Sequence, residues 1–171
     1  MTPSPTSSDT PLGSDPSVTG APEQALASRE FTVTGTYSRT RVRMRFGITE
    51  LKRRGDLLDL TAKLTNVEQD GSRDLQWQVS DRLQGPYRKD LTSVGGSFSG
   101  AVLTDVAGKK RYLVAADSGN ECVCTVQLSS TFVGAGQSVE LSATYAAPPA
   151  STTKLDVAVT SLGTFRDLPV S

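Results

Sequence analysis

The stretch TRVRMRFGI (residues 40–48), followed by LLDLTAKLT (residues 57–65), decides the fold class of this chain. In both segments apolar residues occupy every second position. They are Val42, Met44, Phe46 and Ile48 in the first segment, and Leu58, Leu60, Ala62 and Leu64 in the second. A period of two indicates β-strands with one buried face, because successive side chains on a strand point to opposite sides.

The residues between these segments, RRGD (53–56), predict a tight hairpin turn. Gly55 lies where a positive φ is favourable, and glycine adopts that conformation without steric cost. If Arg53 pairs with Asp56, Leu51 faces Leu58, so that two apolar residues share the buried face.

Continued without a break, this register fails further along the hairpin, where Phe46 would face Lys63. One extra residue at Thr49-Glu50 restores the apolar alignment, because Phe46 then faces Ala62. A one-residue slip turns a whole strand face over, so we predict a β-bulge at Thr49-Glu50. The same register places Arg45 opposite Lys63 on the solvent face.

The remainder of the chain from about residue 30 shows the same alternation. Residues 99–106 and 110–116 flank a second predicted hairpin turn at Ala107-Gly108. The other apolar sets of one parity are Leu75, Trp77 and Val79; Cys122, Cys124, Val126 and Leu128; Val139, Leu141, Ala143 and Tyr145; and Leu155, Val157 and Val159. FRDLPV (165–170) predicts a short edge strand, where Pro169 is tolerated.

This pattern predicts an all-β fold without helices. With a single central tryptophan, it favours an immunoglobulin-like antiparallel β-sandwich of about 8–9 strands over residues 30–171. A closed, barrel-shaped sheet is the alternative architecture.

Residues 1–29 predict a disordered Ser/Thr/Pro-rich linker. Residues 1–22 contain five Pro, five Ser and four Thr and almost no large apolar side chain, so this segment cannot bury enough surface to offset its chain entropy. Such a tether is typical of the start of a mature exported lipoprotein, after its anchoring cysteine. We therefore expect Met1 to replace or follow a removed leader, and the lipid anchor to lie outside the given sequence.

Composition excludes several function classes. The chain carries 18 basic and 18 acidic residues and no histidine. Without histidine, neither a Ser-His-Asp or Cys-His arrangement nor a His-containing metal site can form. A carboxylate-only hydrolase is a distant alternative, so we predict a protein that is not an enzyme and has no cofactor. The balanced charge predicts no nucleic-acid partner.

Both cysteines lie in GNECVCT (119–125), and three interpretations are open: a metal site, a redox dithiol or a structural disulfide. On a flat strand the Cα atoms of Cys122 and Cys124 would lie about 6.6–6.8 Å apart, at the upper limit for a disulfide. The turn signal Gly119-Asn120 predicts a bend that would bring them closer. We therefore predict a disulfide between them in an oxidising compartment, and no metal site.

Two regions are candidate partner-binding sites. Arg41, Arg43 and Arg45 form a basic strip that would meet anionic lipid headgroups or wall phosphates, or would only keep a sheet face soluble. The loop 81–98 carries Tyr87, Arg88 and Lys89, and is either a binding loop or a plain crossover.

Three further stretches carry a family resemblance: LTDVAGKKRYLVAADSGNECVCT (103–125), GAGQSVELSATYAAPP (134–149) and FRDLPV (165–170). They resemble the Ig-like domains of actinobacterial surface lipoproteins and secreted antigens, a group similar to the mycobacterial immunoprotective extracellular antigen family. The resemblance implies export, a β-sandwich and no established catalytic activity, and it assigns no functional residues.

These observations predict a non-enzymatic, extracytoplasmic Ig-like binding or structural module at the cell surface. Its expected partner is another envelope protein or an anionic surface component. The alternative is a metal- or redox-handling envelope protein that uses Cys122 and Cys124.

Overall fold

The computed structural model describes residues 24–86, 90–92 and 96–171. Of the predicted linker 1–29, residues 1–23 lie outside the described residues. The described part contains ten strands, all paired antiparallel, and no α-helix. The predicted all-β, antiparallel class is therefore confirmed, and the first strand begins three residues before the predicted domain start.

The strands form two four-stranded sheets and one two-stranded sheet. The first sheet, in spatial order, contains β1 (Ala27–Thr34), β2 (Arg41–Arg54), β3 (Leu57–Asn66) and β8 (Ser138–Ala146). The second contains β10 (Gly163–Pro169), β9 (Lys154–Val159), β5 (Ala101–Asp105) and β6 (Lys110–Tyr112). The small sheet pairs β4 (Trp77–Gln78) with β7 (Phe132–Val133). Short 3₁₀ turns lie at Arg73–Leu75, Ser80–Leu83 and Leu128–Ser130.

The β2–β3 hairpin contains the predicted bulge, because its register shifts between Ile48 and Glu50 and leaves Thr49 as the extra residue. The predicted turn was wrong by one position. Arg54 pairs with Leu57, and Gly55, with φ +61°, is the first of two turn residues. A type II′ hairpin turn requires glycine there, which explains why the turn begins at Gly55.

The displaced turn moves every cross-strand pair by two residues but keeps the face of each side chain. Phe46 therefore faces Leu64 rather than Ala62. Arg45 faces Thr65, and Lys63 faces Gly47, so the predicted opposition of Arg45 and Lys63 is wrong.

The buried faces of the two large sheets contact each other through one apolar core. The Phe46 ring on β2 lies 5.8 Å from the Phe165 ring on β10 and 6.0 Å from the Phe98 ring. The Tyr145 hydroxyl on β8 donates a hydrogen bond of 2.9 Å to the Ala101 carbonyl on β5.

The tryptophan does not lie where an immunoglobulin domain has it. Trp77 is buried in the two-stranded sheet and packs edge-on against Phe31 at 6.2 Å. The strand order also differs, because β1, β2 and β3 lie side by side in chain order. In an immunoglobulin constant domain, by contrast, the fifth strand lies next to the second.

The segment from Cys122 to Leu128 is not the regular strand that its parity predicted. It makes only isolated bridges, and Val126 is 42 % exposed rather than buried. Two left-handed residues, Asn120 and Gln127, both with φ 60°, bracket the segment and prevent a continuous strand. The β5–β6 hairpin and the edge strand containing Pro169 are confirmed.

Candidate functional site

The two cysteines lie close together at a bend. Their Cα atoms are 5.2 Å apart, and their sulfur atoms are joined in a disulfide. A turn at residues 117–120 precedes them, in which the Asn120 N–H bonds the Asp117 carbonyl. The chain bends again at Val123. The bend brings the Cα atoms of the two cysteines closer together than they would be on a flat strand. The predicted bend and close approach are confirmed.

The bent segment covers the outer edge of β8. The Thr125 N–H donates to the Ser142 carbonyl at 2.9 Å, and the Thr144 N–H donates to the Val123 carbonyl at 2.9 Å. Before the cysteines in the chain, the Ala115 N–H bonds the Thr144 carbonyl at 2.7 Å. The pair is therefore positioned to fix the shape of a segment that satisfies backbone groups of a sheet edge.

Neither a metal cluster nor a membrane helix is present in the part of the chain that the structure describes. Within residues 24–86, 90–92 and 96–171, no group of three or more His, Cys, Asp or Glu side chains could hold a metal ion. No helix of these residues is long and apolar enough to cross a membrane.

The basic strip of Arg41, Arg43 and Arg45 lies on the exposed face of the first sheet, where two of its members are paired with glutamates. Arg45 Nη2 lies 2.6 Å from Glu30, and Arg43 Nε lies 3.2 Å from Glu68. The Arg43 N–H also bonds the Glu68 carboxylate, and this bond lowers the pKa of that carboxyl. Much of the strip's positive charge is therefore neutralised within the chain.

An open depression of about 400 Å³ lies beside this strip. Gly47 forms part of its lining, and the Cβ of a larger residue there would approach Ala25 to 3.2 Å. The other lining residues are Ala25, Ser28, Arg45, Thr49, Lys63, Thr65 and Ser138. Arg45 is paired with Glu30 and Lys63 faces Glu140 in register, so the depression is polar rather than strongly basic.

Tyr87, Arg88 and Lys89, the predicted binding residues of the loop 81–98, lie outside the described residues. Other parts of that loop are ordered against the fold. The Gly100 N–H bonds the Leu83 carbonyl at 2.9 Å, and the Thr92 N–H bonds the Asn120 carbonyl at 3.0 Å. The loop is thus attached both near β5 and at the turn before the cysteines.

One exposed cluster was missed by the sequence reasoning. Tyr37 and Phe132 stack with ring centroids 5.9 Å apart, and the Arg73 guanidinium lies 4.9 Å from the Tyr37 ring centroid. Tyr37 is 53 % exposed and Phe132 is 36 % exposed. We call Tyr37, Arg73 and Phe132 the loop platform. The three residues are distant in sequence and share no period, so no local pattern could have grouped them.

A buried asparagine holds the loops beneath the platform. The Asn66 side-chain amide is fully buried and donates to the Leu75 carbonyl at 2.7 Å and to the Val133 carbonyl at 3.1 Å. These carbonyls belong to the 3₁₀ turn that contains Arg73 and to strand β7 that contains Phe132. Since the amide group bonds both elements, Asn66 fixes the relative positions of two platform residues.

The loop that carries Tyr37 is attached to the same region. The Thr36 N–H bonds the Gln76 carbonyl at 2.9 Å, and the Ser38 hydroxyl bonds the Asp74 carbonyl at 2.8 Å. A Cβ at Gly35 would lie 2.4 Å from the Asp74 carbonyl oxygen, so glycine is required for this close approach. The platform is therefore preorganised by main-chain contacts.

Two buried polar groups away from the platform are satisfied within the fold. Asp105 accepts bonds from the Gly108 N–H and the Thr152 hydroxyl, both at 2.8 Å, and these bonds lower the pKa of its carboxyl. Burial raises the pKa of the Tyr145 phenol. Both groups stabilise the fold, and we assign neither a chemical role.

Comparison with protein-family models, curated proteins and solved structures finds no significant match for this chain.

Proposed function

We propose that the chain is a non-enzymatic, extracytoplasmic binding module with an immunoglobulin-like β-sandwich architecture. Two antiparallel sheets that enclose one core support the architecture. Domains of this kind share the layered arrangement without always sharing the strand order. The proposal therefore concerns the architecture and does not assign the immunoglobulin topology.

The preorganised loop platform carries the proposal. Exposed aromatic side chains and arginine are the residue types that contribute most to protein–protein binding, and rigid loops on a β-scaffold commonly carry binding residues. Because Asn66 and the main-chain bonds hold the loops, little conformational entropy would be lost when Tyr37, Arg73 and Phe132 contact a partner. We propose another envelope protein as that partner.

The close cysteine pair supports an extracytoplasmic location. Disulfides persist in oxidising compartments and are rare in the cytosol. The Ser/Thr/Pro-rich composition of residues 1–22 also suits a tether between a membrane anchor and a folded domain.

The proposal is tested by site-specific photo-crosslinking. A photo-reactive phenylalanine analogue replaces Phe132, and the chain is incubated with the envelope fraction of the cells that produce it. The matched control carries the analogue at Lys109, an exposed turn residue far from the platform in sequence. We expect an adduct of defined mass at position 132 that weakens about tenfold or more when Tyr37→Ala is added, since hot-spot truncations have effects of that size.

Equal adducts at both positions, or no adduct at position 132, would overturn the proposed function. The alternative, metal or redox handling by Cys122 and Cys124, is distinguished by intact mass. The disulfide-bonded protein is lighter than its reduced form by two hydrogens, whereas free thiols or bound copper in the purified protein would favour the alternative.

A further inference from the structure

The lateral edges of the two large sheets are not equally protected against pairing with another strand. Such an edge exposes backbone N–H and C=O groups that a further strand can bond, and proteins block this with coverage, bulges, proline or short strands. The edge of β8 is covered by the bent cysteine segment through bonds at Ser142 and Thr144.

The second sheet blocks both of its edges. β10 contains Pro169, a register shift between Phe165 and Leu168, and a left-handed Asp167 with φ 55°. The other edge strand, β6, spans only Lys110–Tyr112. Three of the four edges thus carry a recognised obstacle to strand addition.

β1 carries none of these obstacles. Its eight residues pair with β2 in unbroken register from Ala27 to Thr34, and they include no proline and no lysine. The Gly35 N–H bonds the Thr40 carbonyl, which sets the phase of the ladder. The backbone N–H and C=O groups of the odd-numbered residues of β1 therefore bond β2, and those of the even-numbered residues point away from β2. Within the residues that the structure describes, no other segment forms a backbone bond to the outward groups of Ser28, Glu30 or Thr32.

The free edge is also held rigidly. The Arg29 side chain donates to the Leu162 carbonyl of the β9–β10 turn and to the Thr164 carbonyl of β10, and its guanidinium lies 5.0 Å from the Phe165 ring centroid. Phe31, on the same face of β1, packs against Trp77. A strand that is held along one face in this way loses little further entropy when it pairs.

We propose that the β1 edge is the interface with a second copy of this chain, by antiparallel pairing centred on Phe31. A two-fold axis lets one edge serve both partners, and antiparallel pairing of identical strands satisfies that symmetry. In this register Glu30 faces Thr32 of the partner subunit, and Ser28 faces Thr34 of the partner subunit. The two first sheets then form one continuous sheet.

Charge selects this register over its neighbour. Centring on Glu30 would place two carboxylates directly opposite each other, which is destabilising. Centring on Phe31 avoids that contact and also uses the full length of the free edge. In its own subunit Glu30 is paired with Arg45 at 2.6 Å, so in the Phe31-centred register its carboxylate needs no ionic partner across the interface.

The test is the mass of the protein in solution. Light scattering coupled to gel filtration should give twice the 18.1 kDa chain mass over a dilution series. Thr32→Pro should halve that mass, because it removes an outward N–H while sparing the β2 ladder. Thr32→Ala keeps the N–H and is the matched control, which should remain dimeric. Circular dichroism verifies that both variants are folded.

A second measurement does not depend on the proline variant. Equimolar Glu30→Cys and Thr32→Cys chains, mixed and mildly oxidised, should form a mixed disulfide in higher yield than either chain alone. A monomer at every concentration, or a mixed yield no higher than the single-variant yields, would overturn the dimer. The loop platform is not used in this interface, so crosslinking through position 132 would stand independently of that result.

Discussion

Asp105 links the stability of the fold to acid pH. Its carboxylate accepts bonds from Gly108 and Thr152, so its pKa is lower in the folded chain than in the unfolded chain. The unfolded state therefore binds more protons over the acidic range. The stabilisation is fully present above the unfolded pKa of about 4 and is lost as the pH falls through the lower folded pKa.

Asp105→Asn should reduce stability at neutral pH, because the neutral amide oxygen accepts weaker hydrogen bonds than the ionised carboxylate does. The deficit relative to the wild type should shrink when urea unfolding is measured near pH 3 instead of about pH 7. A deficit that is the same at both pH values would show that the charge of Asp105 does not contribute. Ala107-Gly108 predicted a turn at this place, but the bond of Asp105 to Thr152 depends on a segment distant in the chain.

The β2–β3 hairpin depends on one supernumerary residue. Deleting Thr49 would remove the register shift, so that every side chain of residues 41–48 would move to the opposite face of the sheet. Phe46 and Met44 would then lie on the solvent face. We expect loss of the cooperative unfolding transition, measured by circular dichroism. Thr49→Ala keeps the residue count and loses only the 3.2 Å bond to the Thr61 carbonyl, at a cost of about 0.5–1.5 kcal/mol. A deletion variant that unfolds like Thr49→Ala would contradict the role of the bulge.

The same hairpin shows what local sequence can and cannot determine. Apolar alternation identified both strands, their buried faces and the bulge, since each follows from a period of two. The turn position was missed because RRGD permits two placements of a two-residue turn that preserve parity. At the cysteines, parity predicted a strand, but left-handed residues on both sides prevailed. The loop platform depends on tertiary bonds of Asn66, which no periodic signal encodes.

A buried hydroxyl joins the two large sheets across the core. The buried Tyr145 hydroxyl on β8 bonds the Ala101 carbonyl on β5 at 2.9 Å. Tyr145→Phe leaves that carbonyl buried without its partner, so the free energy of unfolding in urea should fall by about 1–3 kcal/mol.

Tyr112 provides the matched control. Among the described residues, its buried hydroxyl has no hydrogen-bond partner. Tyr112→Phe should therefore leave the free energy of unfolding unchanged or raise it, because it removes an unsatisfied polar atom. Equal losses in the two variants would show that the Tyr145 bond does not connect the sheets energetically.

The pairing of β3 with β8 also sets an order of events during synthesis. Thr65 and its partner Ser138 are 73 residues apart in sequence. At roughly 5–20 residues per second, the ribosome needs roughly 4–15 seconds to make the intervening chain. For that interval the β2–β3 hairpin can form while one side of β3 has no strand beside it. During this window β3 exposes unpaired backbone groups on that side, which is the condition that makes an incomplete sheet prone to aggregate.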